Sequence, residues 1–130
     1  MSMQQLRPLS TPLLRWAPSI ILMAAIFIFS SIPSSGLPDF GWVDLLIKKG
    51  GHFLGYSLLA FSYYWALGFD RPYARLWAFL LAGAYAVTDE LHQSFVPGRG
   101  SWWVDVVIDS SGAAFAMLIS PSIRRLFPKL

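Results

Sequence analysis

"TDELHQSFVPGRGSWWVDVVID", residues 88–109, decides how this chain folds. It holds Asp89, Glu90, Asp105 and Asp109, four of the seven acids in 130 residues, with His92, Gln93 and Arg99 among them. The sequence on either side is almost free of charge. Pro97-Gly98 and Gly100 are chain breakers and divide the stretch in two. It therefore reads as the polar end of one helix, a turn, and the polar start of the next.

The apolar remainder of each helix runs away from that turn. Crossing roughly 30 Å of hydrocarbon takes about 20 residues, and the chain offers four candidates, at approximately 16–36, 50–69, 76–95 and 104–120. The composition agrees. The chain is 55% hydrophobic and 13% charged, whereas a water-soluble domain carries roughly 25% charged residues. The expectation is an all-α polytopic membrane protein, a bundle of four transmembrane helices in one domain spanning residues 1–130. The first span has a rival in a cleavable signal peptide. "SIPSSG" is a poor cleavage site, so the span is retained. Residues 33–50, "PSSGLPDFGWVDLLIKKG", read as a loop or interfacial segment, and Pro121 ends the fourth span.

The net charge of +3 comes without the basic stripe that nucleic acid requires. The basic residues sit between apolar runs, as topology determinants do. Placing both termini and the 68–75 loop inside puts Arg7, Arg15, Arg71, Arg75, Arg124, Arg125 and Lys129 on that side, against Lys48, Lys49 and Arg99 outside. This bias predicts that both termini are cytoplasmic, so the opening stretch faces outward. The absence of cysteine excludes disulfides, thiolate metal sites and a cysteine nucleophile.

Helical spacing, about 100° per residue, sorts the polar side chains. Lys49, His52, Tyr56 and Tyr63 form one stripe on the second span. Asp89, Glu90 and Gln93, with Tyr85 and His92, form an arc near the end of the third. Asp105, Asp109, Gly112 and Ala116 share a face of the fourth that starts acidic and becomes small, which suits close helix approach. Ionisable groups in hydrocarbon turn inward and pair, so the three stripes are expected to meet at one depth.

These motifs resemble those of the VanZ-like family of small bacterial membrane proteins, named for a factor associated with resistance to the glycopeptide teicoplanin. The resemblance rests on Lys49-x-x-His52-Phe53-x-x-Tyr56, on Asp89-Glu90-x-x-Gln93-x-Phe95-x-Pro97-x-Arg99, and on Asp105-x-x-x-Asp109-x-x-Gly112. It covers residues 48–116. Two positions depart from the pattern: Asp109 where Asn is common, and Ala116 where a second Gly is common. The resemblance implies a multi-pass protein of the bacterial cytoplasmic (inner) membrane, with an envelope-linked role involving lipid-linked precursors or other glycolipids.

Site roles follow from the residue types. His52, whose ordinary pKa is near neutrality, and the adjacent carboxyls Asp89 and Glu90 are the catalytic candidates. Lys49, Tyr56, Gln93, Arg99, Asp105 and Asp109 are the substrate-binding candidates. Arg99 suits bidentate capture of phosphate, with a surface pair to Asp105 as its rival. Asp105 also suits a helix N-terminus. His52, Asp89, Glu90 and Asp109 offer oxygen and nitrogen donors, but without a recognised ligand spacing no metal and no cofactor is assigned. The first functional reading is an outward-facing site that binds or modifies an anionic envelope lipid. Membrane lipids and a lipid-linked envelope precursor are the expected partners, nucleic acid is not, and the Gly112/Ala116 face offers a seam for a homo-oligomer. The second reading is a non-enzymatic accessory protein whose polar network only locks the bundle. A small ion-coupled carrier is disfavoured, because the polar residues stay in one half of the membrane.

Overall fold

A computed structural model of the chain describes residues 12–33, 41–100 and 103–130. A 3-10 turn, Leu14–Trp16, leads into α1, Ala17–Ser30; then come α2, Trp42–Leu67, α3, Ala74–Gln93, and α4, Trp103–Leu126. No strand occurs among the described residues, so the all-α expectation holds.

Side-chain hydrogen bonds fix the helix directions. Ser19 Oγ lies 2.9 Å from Ser62 Oγ, and Arg15 Nη2 donates to Trp65 O at 2.7 Å, so the start of α1 meets the end of α2. Tyr85 Oη donates to Met23 O at 2.6 Å and Gln93 Nε2 to Ser30 Oγ at 3.2 Å, so α1 runs parallel to α3. Ser57 Oγ donates to Gly112 O at 2.8 Å, and Arg124 Nη1 reaches Tyr64 Oη at 3.4 Å, so α2 runs parallel to α4. The result is an up-down-up-down bundle in which α2 and α3 lie between α1 and α4.

The interior is built from small and polar residues. Ala74, Ala78, Ala82 and Ala86, four apart, form a fully buried stripe along α3. Against it pack Tyr56, Leu59, Ala60 and Tyr63 of α2, with Ala113 and Ala116 of α4. The large aliphatic side chains face outward: Ile20, Ile28, Leu54, Leu58, Leu76, Leu80, Phe115 and Leu118 are all exposed. This polarity is the reverse of a soluble bundle, where such side chains fill the core.

At Gly112 the backbones of α2 and α4 pass in close contact. A Cβ there would fall onto the backbone carbonyl of Phe53, so only glycine lets α2 and α4 cross at this spacing. The seam offered above for self-association is thus occupied within the chain, with Gly112 and Ala116 both buried.

The structure corrects several sequence expectations. Helix α1 has 14 residues and stops at Ser30, short of the span expected to reach residue 36. Apolar composition continues to Ile32, but Pro33 follows, and the residue before a proline is pushed out of the helical region. Helix α2 has 26 residues and begins at Trp42, inside the segment expected as loop or interfacial; the remainder of that segment, 34–40, lies outside the described residues. Pro121 does not end the last helix, which continues to Leu126. A proline removes the hydrogen bond to the carbonyl four residues back, here Met117 O. That carbonyl instead accepts from Ser120 Oγ at 2.8 Å and from Arg75 Nη1 at 3.4 Å.

Among the described helices, α4 alone is long and apolar enough to cross a membrane by its own composition. Helix α2 is longer but carries Asp44, Lys48, Lys49 and His52 in its first turns, and α3 carries Arg75, Asp89 and Glu90. Four spans therefore do not follow from helix composition alone.

Candidate functional site

The antiparallel order brings the start of α2, the end of α3 and the start of α4 to one end of the bundle. The three polar stripes do meet there. His52 Nδ1 lies 3.1 Å from Asp109 Oδ1, and one turn nearer the helix starts Lys49 forms an ion pair with Asp105. From α3, Gln93 Nε2 donates to Asp89 Oδ2 at 3.2 Å as well as to Ser30. Both of its N–H groups are then used, and Asp89 is clamped from one side only.

Tyr56 closes the floor of the cluster. Its ring stacks near His52, with centroids 6.4 Å apart, and tilts against Tyr85 at 6.2 Å. Asp109 is 0% exposed, Asp89 3%, and Tyr56 0%; Glu90 and Gln93 are buried beside them on α3. His52 is the accessible member, its side chain 24% exposed. Among the described residues, Asp89 Oδ1, Asp109 Oδ2 and Tyr56 Oη are buried without a hydrogen-bond partner. One donor atom each from His52, Asp89 and Asp109 lies within 4.8 Å of the others.

The positions of the acids carry information of their own. Asp105 sits in the first turn of α4, where the helix dipole favours a carboxylate. Asp89 and Glu90 sit in the last turns of α3, where the same dipole opposes them. Nothing in local helix energetics accounts for two acids there.

Arg99 is placed differently from the expected anion contact. The turn Val96-Pro97-Gly98-Arg99 closes through Arg99 N donating to Val96 O at 3.1 Å, with Gly98 at φ 74°, as a type II turn requires of its third residue. It delivers the guanidinium to the end of α1, where Nε donates to Ile32 O at 2.9 Å and Nη2 to Phe29 O at 3.0 Å. A cation on the last carbonyls of a helix C-terminus is a favourable cap. His92 makes a similar clasp, with Nε2 2.9 Å from Ser31 Oγ and its ring stacked on Phe27 at 4.3 Å.

Sequence reasoning missed the serines. Ser62 donates to Leu59 O at 2.7 Å, so in the buried Ser19–Ser62 pair Ser19 must be the donor. Ser30 and Ser57 anchor α1 to α3 and α2 to α4 in the same way. Serines recurring on otherwise apolar helices were the available signal, because small hydroxyls glue helices where backbones approach.

In chemical terms the cluster sets an imidazole against two carboxylates, with a phenol beneath and an ion pair above. Such a group can move a proton or hold a cation. The fold and this site together define a small all-α bundle with an apolar exterior and a buried carboxylate–imidazole cluster at one end. The VanZ/LLP1 family profile matches residues 8–124, most of the chain, and the protein belongs to that family. No curated protein and no solved structure matches it. The family is membrane-associated and linked to glycopeptide resistance at the cell envelope.

Proposed function

We propose that all four helices cross the bacterial cytoplasmic membrane and that the cluster binds or modifies the head group of an anionic envelope lipid or glycolipid, thereby influencing glycopeptide susceptibility. The reversed polarity of the bundle supports embedding. Exposed Leu, Ile and Phe side chains on every helix would form an extensive apolar surface in water, and in hydrocarbon that cost vanishes. With its 3-10 turn, α1 is about 27 Å long, and α3 about 30 Å, close to the hydrocarbon thickness. Arg15, Arg71, Arg75, Arg124 and Arg125 gather at the end opposite the cluster. By the positive-inside bias that end is cytoplasmic and the cluster faces outward.

The observation that carries the functional reading is the contrast between two kinds of buried polar group. Ser19, Ser30, Ser57, Ser62 and Gln93 are satisfied and hold helices together, as do the half-buried His92 and Arg99. Asp89 Oδ1, Asp109 Oδ2 and Tyr56 Oη are not, although orphaned buried polar atoms are costly and rare in a merely structural network. Acids placed against the α3 dipole add to that contrast, since local rules are broken mainly at functional sites. In this reading His52 and Asp109 handle the proton, Asp89 and Glu90 complete the acid wall, and Lys49, its side chain 37% exposed, meets the head group. Arg99 contributes by fixing the turn. Membrane lipids are the partners.

The test is glycopeptide susceptibility in cells whose only copy carries His52→Ala or Asp109→Asn, at membrane levels equal to wild type. Loss of resistance with His52→Ala and retention with His92→Ala supports the site. Full resistance in both site variants would return the cluster to a structural role.

A further inference from the structure

Two buried carboxylates, Asp89 and Asp109, face one imidazole, and among the described residues Lys48, Lys49 and Arg99 are engaged elsewhere. Lys49 pairs with Asp105, Lys48 with Asp44 at 2.6 Å, and Arg99 lies on the α1 carbonyls. The C-terminal end of α3 adds its own partial negative charge. A closed network of this composition lacks positive charge, and a buried uncompensated carboxylate is expensive.

The orientation of the carboxylates points to what supplies it. Gln93, which is outside the His52–Asp89–Asp109 group, holds Asp89 by Oδ2 and leaves Oδ1 free, as outer-shell donors hold metal-ligating carboxylates. Asp109 faces His52 Nδ1 with Oδ1, and its Oδ2 has no hydrogen-bond partner among the described residues. Tyr56 supplies the independent sign. Its hydroxyl is fully buried and meets no hydrogen-bond criterion with any partner among the described residues.

Spacing agrees. The 3.1 Å between His52 Nδ1 and Asp109 Oδ1 matches the edge of a coordination polyhedron with metal–ligand bonds of about 2.0–2.1 Å. The third donor, from Asp89, lies within 4.8 Å of the others.

We propose that His52, Asp89 and Asp109 form a binding site for one divalent first-row transition ion, of the Zn2+ or Mn2+ kind. An imidazole with two carboxylates selects this class over hard ions held by oxygen alone and over thiolate-seeking ions. The ion neutralises both carboxylates and engages their orphaned oxygens, with Tyr56 and Gln93 as outer partners. This assignment does not depend on which head group is bound, but with the ion present His52 Nδ1 and Asp109 act as its ligands in place of handling the proton.

The full chain in detergent micelles is stripped with chelator, then dialysed separately against Zn2+ and Mn2+, and bound metal is counted by elemental mass spectrometry. Wild type is expected to retain about one equivalent of at least one of the two ions, as is His92→Ala. Asp89→Asn and Asp109→Asn should bind at least tenfold more weakly, since even outer-shell losses cost about 10–100-fold. Asp89→Asn can keep the Gln93 hydrogen bond, so it remains readable where Asp109→Asn fails to fold. X-ray absorption of the loaded protein should show nitrogen and oxygen neighbours at about 2.0–2.1 Å. Folded wild type that retains neither ion, or variants that retain as much as wild type, would overturn the proposal.

Discussion

Gly112→Ala isolates the contact on which the site geometry depends. The new Cβ meets the Phe53 carbonyl oxygen, its carbonyl carbon and its Cα, all backbone atoms that cannot swing aside. Helices α2 and α4 must therefore separate. Overpacking of this kind costs about 1–3 kcal/mol. Separation also breaks the Ser57 Oγ donation to Gly112 O, leaving only its second acceptor, Phe53 O, for about a further 1 kcal/mol. The expected destabilisation is about 2–4 kcal/mol, read as a lower midpoint when the micellar protein is titrated with dodecyl sulfate and followed by circular dichroism. Gly83→Ala is the internal control. Its Cβ meets Ser110 Oγ at 3.8 Å, an ordinary contact, so the gain in helix propensity should leave it neutral or up to about 1 kcal/mol more stable. Equal midpoints for the two variants would refute the close crossing, and with it the reason His52 and Asp109 meet.

Arg99→Ala should free the α1 carbonyls and cost about 1–2 kcal/mol, with faster amide exchange confined to the turns around Phe29 and Ile32. Exchange unchanged there would mean the guanidinium does not cap the helix. A double-mutant cycle probes the proline: Ser120→Ala should cost about 1 kcal/mol in the native chain and close to nothing beside Pro121→Ala, where a restored N–H satisfies Met117 O. Additive effects would contradict that compensation.

The helices and the three polar stripes were legible in the sequence because both depend on local periodicity. Lys49 and His52 are three apart and Asp105 and Asp109 four apart, so parallel packing of α2 and α4 pairs them in register. What escaped depends on partners remote in the chain. The end of α1 is set by Pro33 and by Arg99, the latter some 70 residues on. The continuation of α4 through Pro121 relies on Arg75, which lies 42 residues before the carbonyl it serves. The contact of Arg99 with the end of α1 escaped for the same reason, because a basic residue after Pro-Gly looks alike whether it caps a helix or faces a ligand. Periodicity also could not reveal that α3 closes on the bundle through a ladder of alanines, although their spacing of four was present.

If the cluster exists for function at a cost in stability, Asp89→Asn in the chelator-stripped protein should unfold at a midpoint equal to or above wild type, since a buried, half-satisfied charge is replaced by a neutral isostere that keeps the Gln93 contact. Cells carrying it should lose glycopeptide resistance. A midpoint lowered by more than about 1 kcal/mol, with resistance intact, would contradict that role.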